Sequence, residues 1–260
     1  MTFTVFASGS SANCSLLSDG TVNVLLDMGI SLRQLEQALS LRGLTPGQLS
    51  AVLVTHEHTD HISGLPVLCK KYQIPVYAPR TAANRIRRMT AGDTDYIREL
   101  TPEQPFSLDT LTVTAFPTPH DTEMSVGYRI EGGGRTFGLC TDAGCITDTM
   151  RRYLAGCGCA LIECNHDIDM LKTGKYPYRL RQRILSDRGH LSNERGAELA
   201  EHIVHHGGKT LILGHLSREN NTPELARSAV EARVRGSAEV LMAPVWGFVS
   251  TEVPECSVSR

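Results

Sequence analysis

Thr55-His56-Glu57-His58-Thr59-Asp60-His61 gathers three imidazoles and two carboxylates into one short stretch, directly after the apolar run Ala51–Val54. Buried together, these groups would need polar partners that a hydrophobic core does not supply. Imidazole nitrogen and carboxylate oxygen form instead a donor set suited to Zn²⁺, Mn²⁺ or Fe²⁺. In an extended turn His56 and His58 point to one side, and Asp60 and His61 can reach round to a second ion. The same alternation turns Glu57 away, so it is read as structural.

Outward from this stretch the chain repeats one grammar, a short apolar strand ending in a polar residue. Val22–Leu26 leads to Asp27, Leu111–Phe116 to His120, and Thr136–Leu139 to Asp142. Ala160–Ile162 leads to Glu163, and Thr210–Leu213 to His215. Strand ends that share a sheet edge can converge on one cleft. Between the strands lie helical patterns. Ser31–Arg42 carries leucines at 32, 35 and 39, Asn193–His206 follows Ser192 as cap, and Pro223–Arg235 starts with proline after Thr222. The alternation predicts an α/β fold. Gly132–Gly134 reads as a hairpin turn between Val126–Ile130 and Thr136–Leu139, which predicts a mixed sheet.

The chain has 260 residues, 41% hydrophobic and 21% charged, and is expected to form one domain over 1–260. Its net charge of −2 means that a polyanionic partner must meet a local patch. MTFTVFASGSS has no basic leader, and no apolar run approaches the ~18 residues of a membrane span. The eight cysteines are scattered without a CxxC pair, as expected of reduced thiols in the cytoplasm. Cys157-Gly-Cys159 is assigned to packing. The segment Met170–Arg188 carries Lys172, Lys175, Arg179, Arg181, Arg183 and Arg188 against the single acid Asp187, with Tyr176 and Tyr178 between them. It reads equally as a solvated surface and as a surface that grips phosphates and stacks bases.

His56-x-His58-x-Asp60-His61 resembles the signature loop of the metallo-β-lactamase superfamily, and further motifs of that family follow in order over nearly the whole chain. The resemblance implies an αββα sandwich with a dinuclear metal site at one edge of two sheets. It implies a first ion on His56, His58 and His120, a second on Asp60, His61 and His215, and Asp142 bridging them. Asp27 would orient the ligands from behind. Two ions ~3.5–4 Å apart can share a hydroxide nucleophile and offset charge on a phosphoryl group.

The family also hydrolyses lactams and thioesters, so the substrate needs further residues. Glu163 with His190 resembles the acid–histidine pair of the tRNA-maturase branch, which helps protonate the leaving oxygen. With Asp60, these two are the expected catalytic residues. Ser8, Ser10, Ser11 and Asn13 form a small-residue turn that could cradle a phosphate. Arg179, Arg181 and Arg183 are the candidate backbone grips. Gly214-His215-Leu216-Ser217-Arg218-Glu219-Asn220-Asn221 resembles the YycJ (WalJ) group of nucleases, regarded as double-strand-specific 5′-to-3′ DNA exonucleases. That resemblance implies a divalent-metal phosphodiesterase with Zn²⁺, Mn²⁺ or Fe²⁺, acting on DNA ahead of RNA and on no membrane. An RNase, a small-molecule phosphodiesterase or a thioesterase are the alternatives. A scaffold without activity is disfavoured, because each expected ligand is present. Of the remaining histidines, His166 is placed near the cleft beside Glu163, and His202, His205 and His206 at a helix end that favours their cationic form.

Overall fold

The computed structural model describes residues 1–90 and 94–256. Two seven-stranded sheets face each other. The first holds β1 (Thr2–Ala7), β2 (Cys14–Ser18), β3 (Asn23–Leu26), β4 (Ala51–Leu53), β5 (Val76–Ala78) and β6 (Ile97–Glu99) in that order. The second runs in order through β7 (Phe106–Leu108), β8 (Leu111–Thr118), β9 (Ser125–Gly132), β10 (Arg135–Cys140), β11 (Cys159–Glu163), β12 (Thr210–Gly214) and β13 (Glu239–Met242). The last strand, β14 (Val249–Glu252), returns to pair with β1 and completes the first sheet.

Both sheets are mixed, as the Gly132–Gly134 turn predicts. β9 and β10 pair antiparallel, with Gly133 and Gly134 at φ of 56° and 71° in the turn, a conformation that glycine adopts without strain. From β10 to β13 the pairing is parallel, and from β3 to β6 likewise. β11 and β12 are buried at every position, the pattern of strands covered on both faces. Parallel strands bring their carboxyl ends to one edge, which is where the polar strand endings lie.

Helices α1 (Leu32–Ser40), α2 (Thr59–Ile62), α3 (Leu65–Tyr72) and α4 (Arg80–Met89) accompany the first sheet. The second has α5 (Asp148–Leu154), α6 (Ile168–Thr173), α7 (Tyr178–Ile184), α8 (Asn193–His205) and α9 (Pro223–Val234). Three apolar clusters define the αββα layering. One joins α1, α3 and α4 to the first sheet, one fills the space between the sheets, and one joins α5, α8 and α9 to the second. Across the middle layer the rings of Phe3 and Phe137 lie with centroids 4.1 Å apart.

The helix starts follow their sequence signals. Ser31 caps α1 in a capping box with Gln34, Ser192 caps α8, and Thr222 caps α9 ahead of Pro223. α1 closes at Ser40, two residues short of the expected Arg42, and Gly43 follows at φ 68°. Met170–Arg188 contains the end of α6 and all of α7, and α7 buries no residue.

Candidate metal centre

The loop after β4 turns at His58, whose extended backbone (φ −62°, ψ 149°) leads into α2. That turn buries His56 and His61 and leaves His58 and Asp60 on a cleft of about 330 Å³. Gly29 allows the loop to close on the end of β3. A Cβ there would stand 1.7 Å from the Asp60 carbonyl oxygen, so a larger residue would push Asp27 and the histidine loop apart.

The donor atoms fall into two groups. His58 Nδ1 lies 3.0 Å from His56 Nε2 and 3.3 Å from His120 Nε2. Asp60 Oδ2 lies 3.3 Å from His61 Nε2 and 3.9 Å from His215 Nε2. Asp142 stands between the groups, with Oδ2 3.5 Å from His61 and Oδ1 3.4 Å from His215 and 3.8 Å from His120. Two ligands at ~2.1 Å from one tetrahedral ion are ~3.4 Å apart, so these separations suit donors that share a cation. Asp142 Oδ2 and His215 Nε2 are moreover buried without a hydrogen bond. Such orphaned atoms are costly unless something polar fills the space between them. The donor set fits a divalent cation.

Most of the imidazoles are held from behind. His61 Nδ1 lies 2.8 Å from Asp27 Oδ2, and Asp27 also accepts from the Thr55 amide at 2.8 Å. His56 Nδ1 meets Thr55 Oγ1 at 3.0 Å, His120 Nδ1 the Gly189 carbonyl at 3.1 Å, and His215 Nδ1 Glu163 Oε1 at 2.9 Å. These contacts fix which nitrogen faces the cleft. Asp27, Asp142 and His215 all have left-handed backbones, at φ 56°, 57° and 56°. That conformation is uncommon for residues with a side chain and clusters at functional sites.

The cluster carries opposed charges. Burial disfavours charge on His215, but the carboxylates of Asp142, Asp60 and Glu163 outweigh it and push the imidazole up to about 10. Against the same burial penalty, Asp27 and Asp142 raise His61. His56 is driven far down by burial, aided by the neighbouring His61 charge. Burial resists ionisation of Asp60, yet His215 and His61 lower it. Glu163 likewise ionises despite burial, and His190 and His215 bring it down to about 2.

Glu163 is fully buried and fully bonded. Its Oε1 accepts from His190 at 2.7 Å as well as from His215, and its Oε2 accepts the amides of Ala143 and Leu191, both at 3.1 Å. The structure brings Glu163 and His190 together and joins them to the candidate donor groups through the Glu163–His215 contact, which the sequence did not reveal. His190 lines the cleft, and its Nδ1 is 3.9 Å from Asp142 Oδ1. Against burial, the Glu163 charge raises its pKa.

The candidate substrate residues divide. Ser10 and Arg183 line the cleft. Ser8 is instead occupied by the fold, its Oγ accepting the His215 amide at 2.9 Å. Ser11 accepts from Arg218 at 3.1 Å. Asn13 faces the ligands, with Nδ2 3.3 Å from Asp60 Oδ2 and 3.0 Å from His61 Nε2. On α7, Arg179 is exposed, Arg181 donates to the Lys172 carbonyl away from the cleft lining, and Arg183 pairs with Asp121.

Asp121, Arg188 and Asn165 also adjoin the centre in places that the sequence did not assign; Arg188 was read only as part of the basic segment. Arg188 donates to the His120 carbonyl at 2.8 Å and to that of Thr122, clasping the turn that carries His120. Asn165 donates to the His215 carbonyl at 2.8 Å. Glu57 accepts from Thr81 and stays outside the donor groups, as read from the alternation. Cys157 and Cys159 are buried thiols outside any donor group among the described residues. His166 is buried with both nitrogens unpartnered and is not part of the cleft lining. His202 departs from the cationic helix-end reading. Burial lowers its pKa, and its Nε2 lies 2.9 Å from the Arg151 carbonyl.

Residues 22–216 match the family model described as a beta-lactamase superfamily domain. The chain belongs to the beta-lactamase superfamily, and its two-sheet fold and histidine–aspartate edge are those of a metal-dependent hydrolase. Within that class it is 35% identical over 231 residues to the exodeoxyribonuclease YycJ of Bacillus anthracis, covering 88% of this chain and 87% of that protein. It is 37% identical over 229 residues to the exodeoxyribonuclease WalJ of Streptococcus pneumoniae, covering 86% and 84%. Among solved structures, the metallo-beta-lactamase fold protein YhfI of Bacillus subtilis superposes with a TM-score of 0.74 at 21% identity, covering 96% of this chain and 99% of that one. No helix among the described residues is long and apolar enough to cross a membrane.

Proposed function

We propose that the protein is a two-metal phosphodiesterase that degrades DNA from a 5′ end. The observation that carries this reading is His190, held by Glu163 at the cleft beside the donor groups. A thioester leaves as a stabilised thiolate and needs no such proton donor, whereas a deoxyribose 3′-oxygen leaves as a basic alkoxide. The exodeoxyribonuclease relatives support DNA as the substrate.

His56, His58 and His120 would hold one ion and Asp60, His61 and His215 the other, with Asp142 contributing to both. Bound there, divalent ions supply Lewis-acid activation of water and offset charge on the phosphoryl oxygens. The protein's own residues do the rest. Asp27, Thr55 and the Gly189 carbonyl fix the ligand imidazoles. Arg183 and Ser10 meet the phosphate backbone. His190 carries a proton on Nε2 for the departing 3′-oxygen, and Glu163 holds its Nδ1 and stabilises its charged form.

The test is digestion of duplex DNA labelled at one end, with Mn²⁺ or Zn²⁺. Mononucleotides released from the 5′ end are expected. Cleavage of RNA alone, or of a thioester but no phosphodiester, would overturn the assignment.

A further inference from the structure

Three aspartates line the cleft, and Asp121 is the one outside both donor groups. It follows His120 directly, so the turn that delivers that imidazole delivers this carboxylate too. Its Oδ1 is buried and makes no hydrogen bond. That oxygen stands 3.2 Å from His120 Nε2 and 3.6 Å from His58 Nε2. The first separation is that of two ligands on one ion; the second is too long for a hydrogen bond. The other oxygen, Oδ2, is engaged by the Arg183 guanidinium of α7, which is itself largely exposed.

We propose that Asp121 is a further protein donor, beyond Asp142, to the ion of His56, His58 and His120, and that Arg183 governs how much of its charge that ion receives. Three neutral imidazoles and a share of the Asp142 carboxylate leave a divalent ion with part of its charge, which a second carboxylate offsets further. Arg183 draws on the same carboxylate from the solvent side. A phosphate that engages Arg183 loosens the pair, so substrate binding and metal affinity become linked, each strengthening the other by the same factor. The inference rests on the metal-hydrolase reading of the cleft.

The test measures Zn²⁺ dissociation constants by chelator competition, and visible spectra of the Co²⁺-loaded protein, for wild type, D121N, D121A and R183Q. Both Asp121 variants should bind the first ion at least about tenfold more weakly, and their Co²⁺ spectra should change. R183Q should bind it about two- to fivefold more tightly, an effect that disappears in the D121N background. Unchanged affinity and spectrum in D121N, with two ions still bound, overturns the proposal alone. So does full recovery by D121N of what D121A loses, because Asn keeps an acceptor for His58 but not the charge. A wild-type protein that takes up no ion overturns the metal-hydrolase reading as well.

Discussion

His190 and His215 share one carboxylate oxygen: Glu163 Oε1 stands 2.7 Å from the Nδ1 of the first and 2.9 Å from that of the second. Under the proposed roles one acid would serve the proton donor and a metal ligand together, and substitutions on either side of it should separate the two jobs.

His190→Ala should lose about 10²–10⁴-fold in kcat on DNA, the range of a general acid, while metal content and fold stay intact. Most of that loss should vanish with a p-nitrophenyl phosphodiester, whose leaving group needs no proton. Equal losses on both substrates would make His190 a structural residue or a ligand.

Glu163→Gln should cost more than His190→Ala, because it also removes the negative charge that holds His215 and sets an NH2 group against the Ala143 and Leu191 amides. Metal affinity is expected to fall about 10–100-fold, the usual effect of removing a ligand's hydrogen-bond partner. Activity on the p-nitrophenyl ester should therefore fall as well, unlike in His190→Ala. Metal binding equal to wild type would mean that the His215 contact does no orienting.

Asp142→Asn should weaken uptake of both ions, since each donor group has an Asp142 oxygen within 4 Å. Elemental analysis should show two ions in the wild type and fewer than one full equivalent at each site in the variant. One ion, unaltered by the substitution, would argue for a mononuclear enzyme.

Metal uptake should release protons and strengthen with rising pH, because His215, held up to about 10, carries a proton at neutral pH that a ligand must lose. Zn²⁺ affinity should rise between pH 6 and 8, and a flat profile would exclude His215 as a ligand. In the metal-free protein the sign reverses. A raised pKa contributes stability that is complete below the unfolded value of 6.5 and is lost as pH climbs through about 10, so the chelated protein should melt at lower temperature across that window.

The three arginines of α7 should no longer behave alike. Arg183→Gln should raise KM for DNA and reduce the salt slope by about one. Arg181→Gln should leave both unchanged, since its guanidinium is committed to the Lys172 carbonyl. Equal effects from the two would show that α7 grips DNA as a charged unit without regard to which side chain faces the cleft.

What the sequence made legible was the part written in contiguous or chemically expensive residues. His56 to His61 form one turn, and Asp27, Asp142, Glu163 and His215 each follow an apolar strand closely, so period and polarity sufficed to align them. Caps at Ser31, Ser192 and Thr222 are equally local. The roles of Ser8 and Asp121 were not legible, because each depends on a neighbour distant in the chain, His215 and Arg183, and that of Arg181 rests on a backbone carbonyl, at Lys172, that no side-chain pattern marks. The left-handed backbones of Asp27, Asp142 and His215 left no mark either, since that conformation is usually announced by glycine.

The Phe3–Phe137 contact has a meaning beyond the core it fills. His56 and His61 follow a strand of one sheet, His120, Asp142 and His215 follow strands of the other, so the distance between the sheets is also the distance between the candidate ligands. Any ion held there would act as a rivet between two plates whose spacing the phenyl rings help to keep. Trimming either ring to alanine should weaken metal uptake at a lower cost than unfolding requires, which chelator competition beside a thermal melt would check. The catalytic edge is in this sense a gauge of the packing behind it.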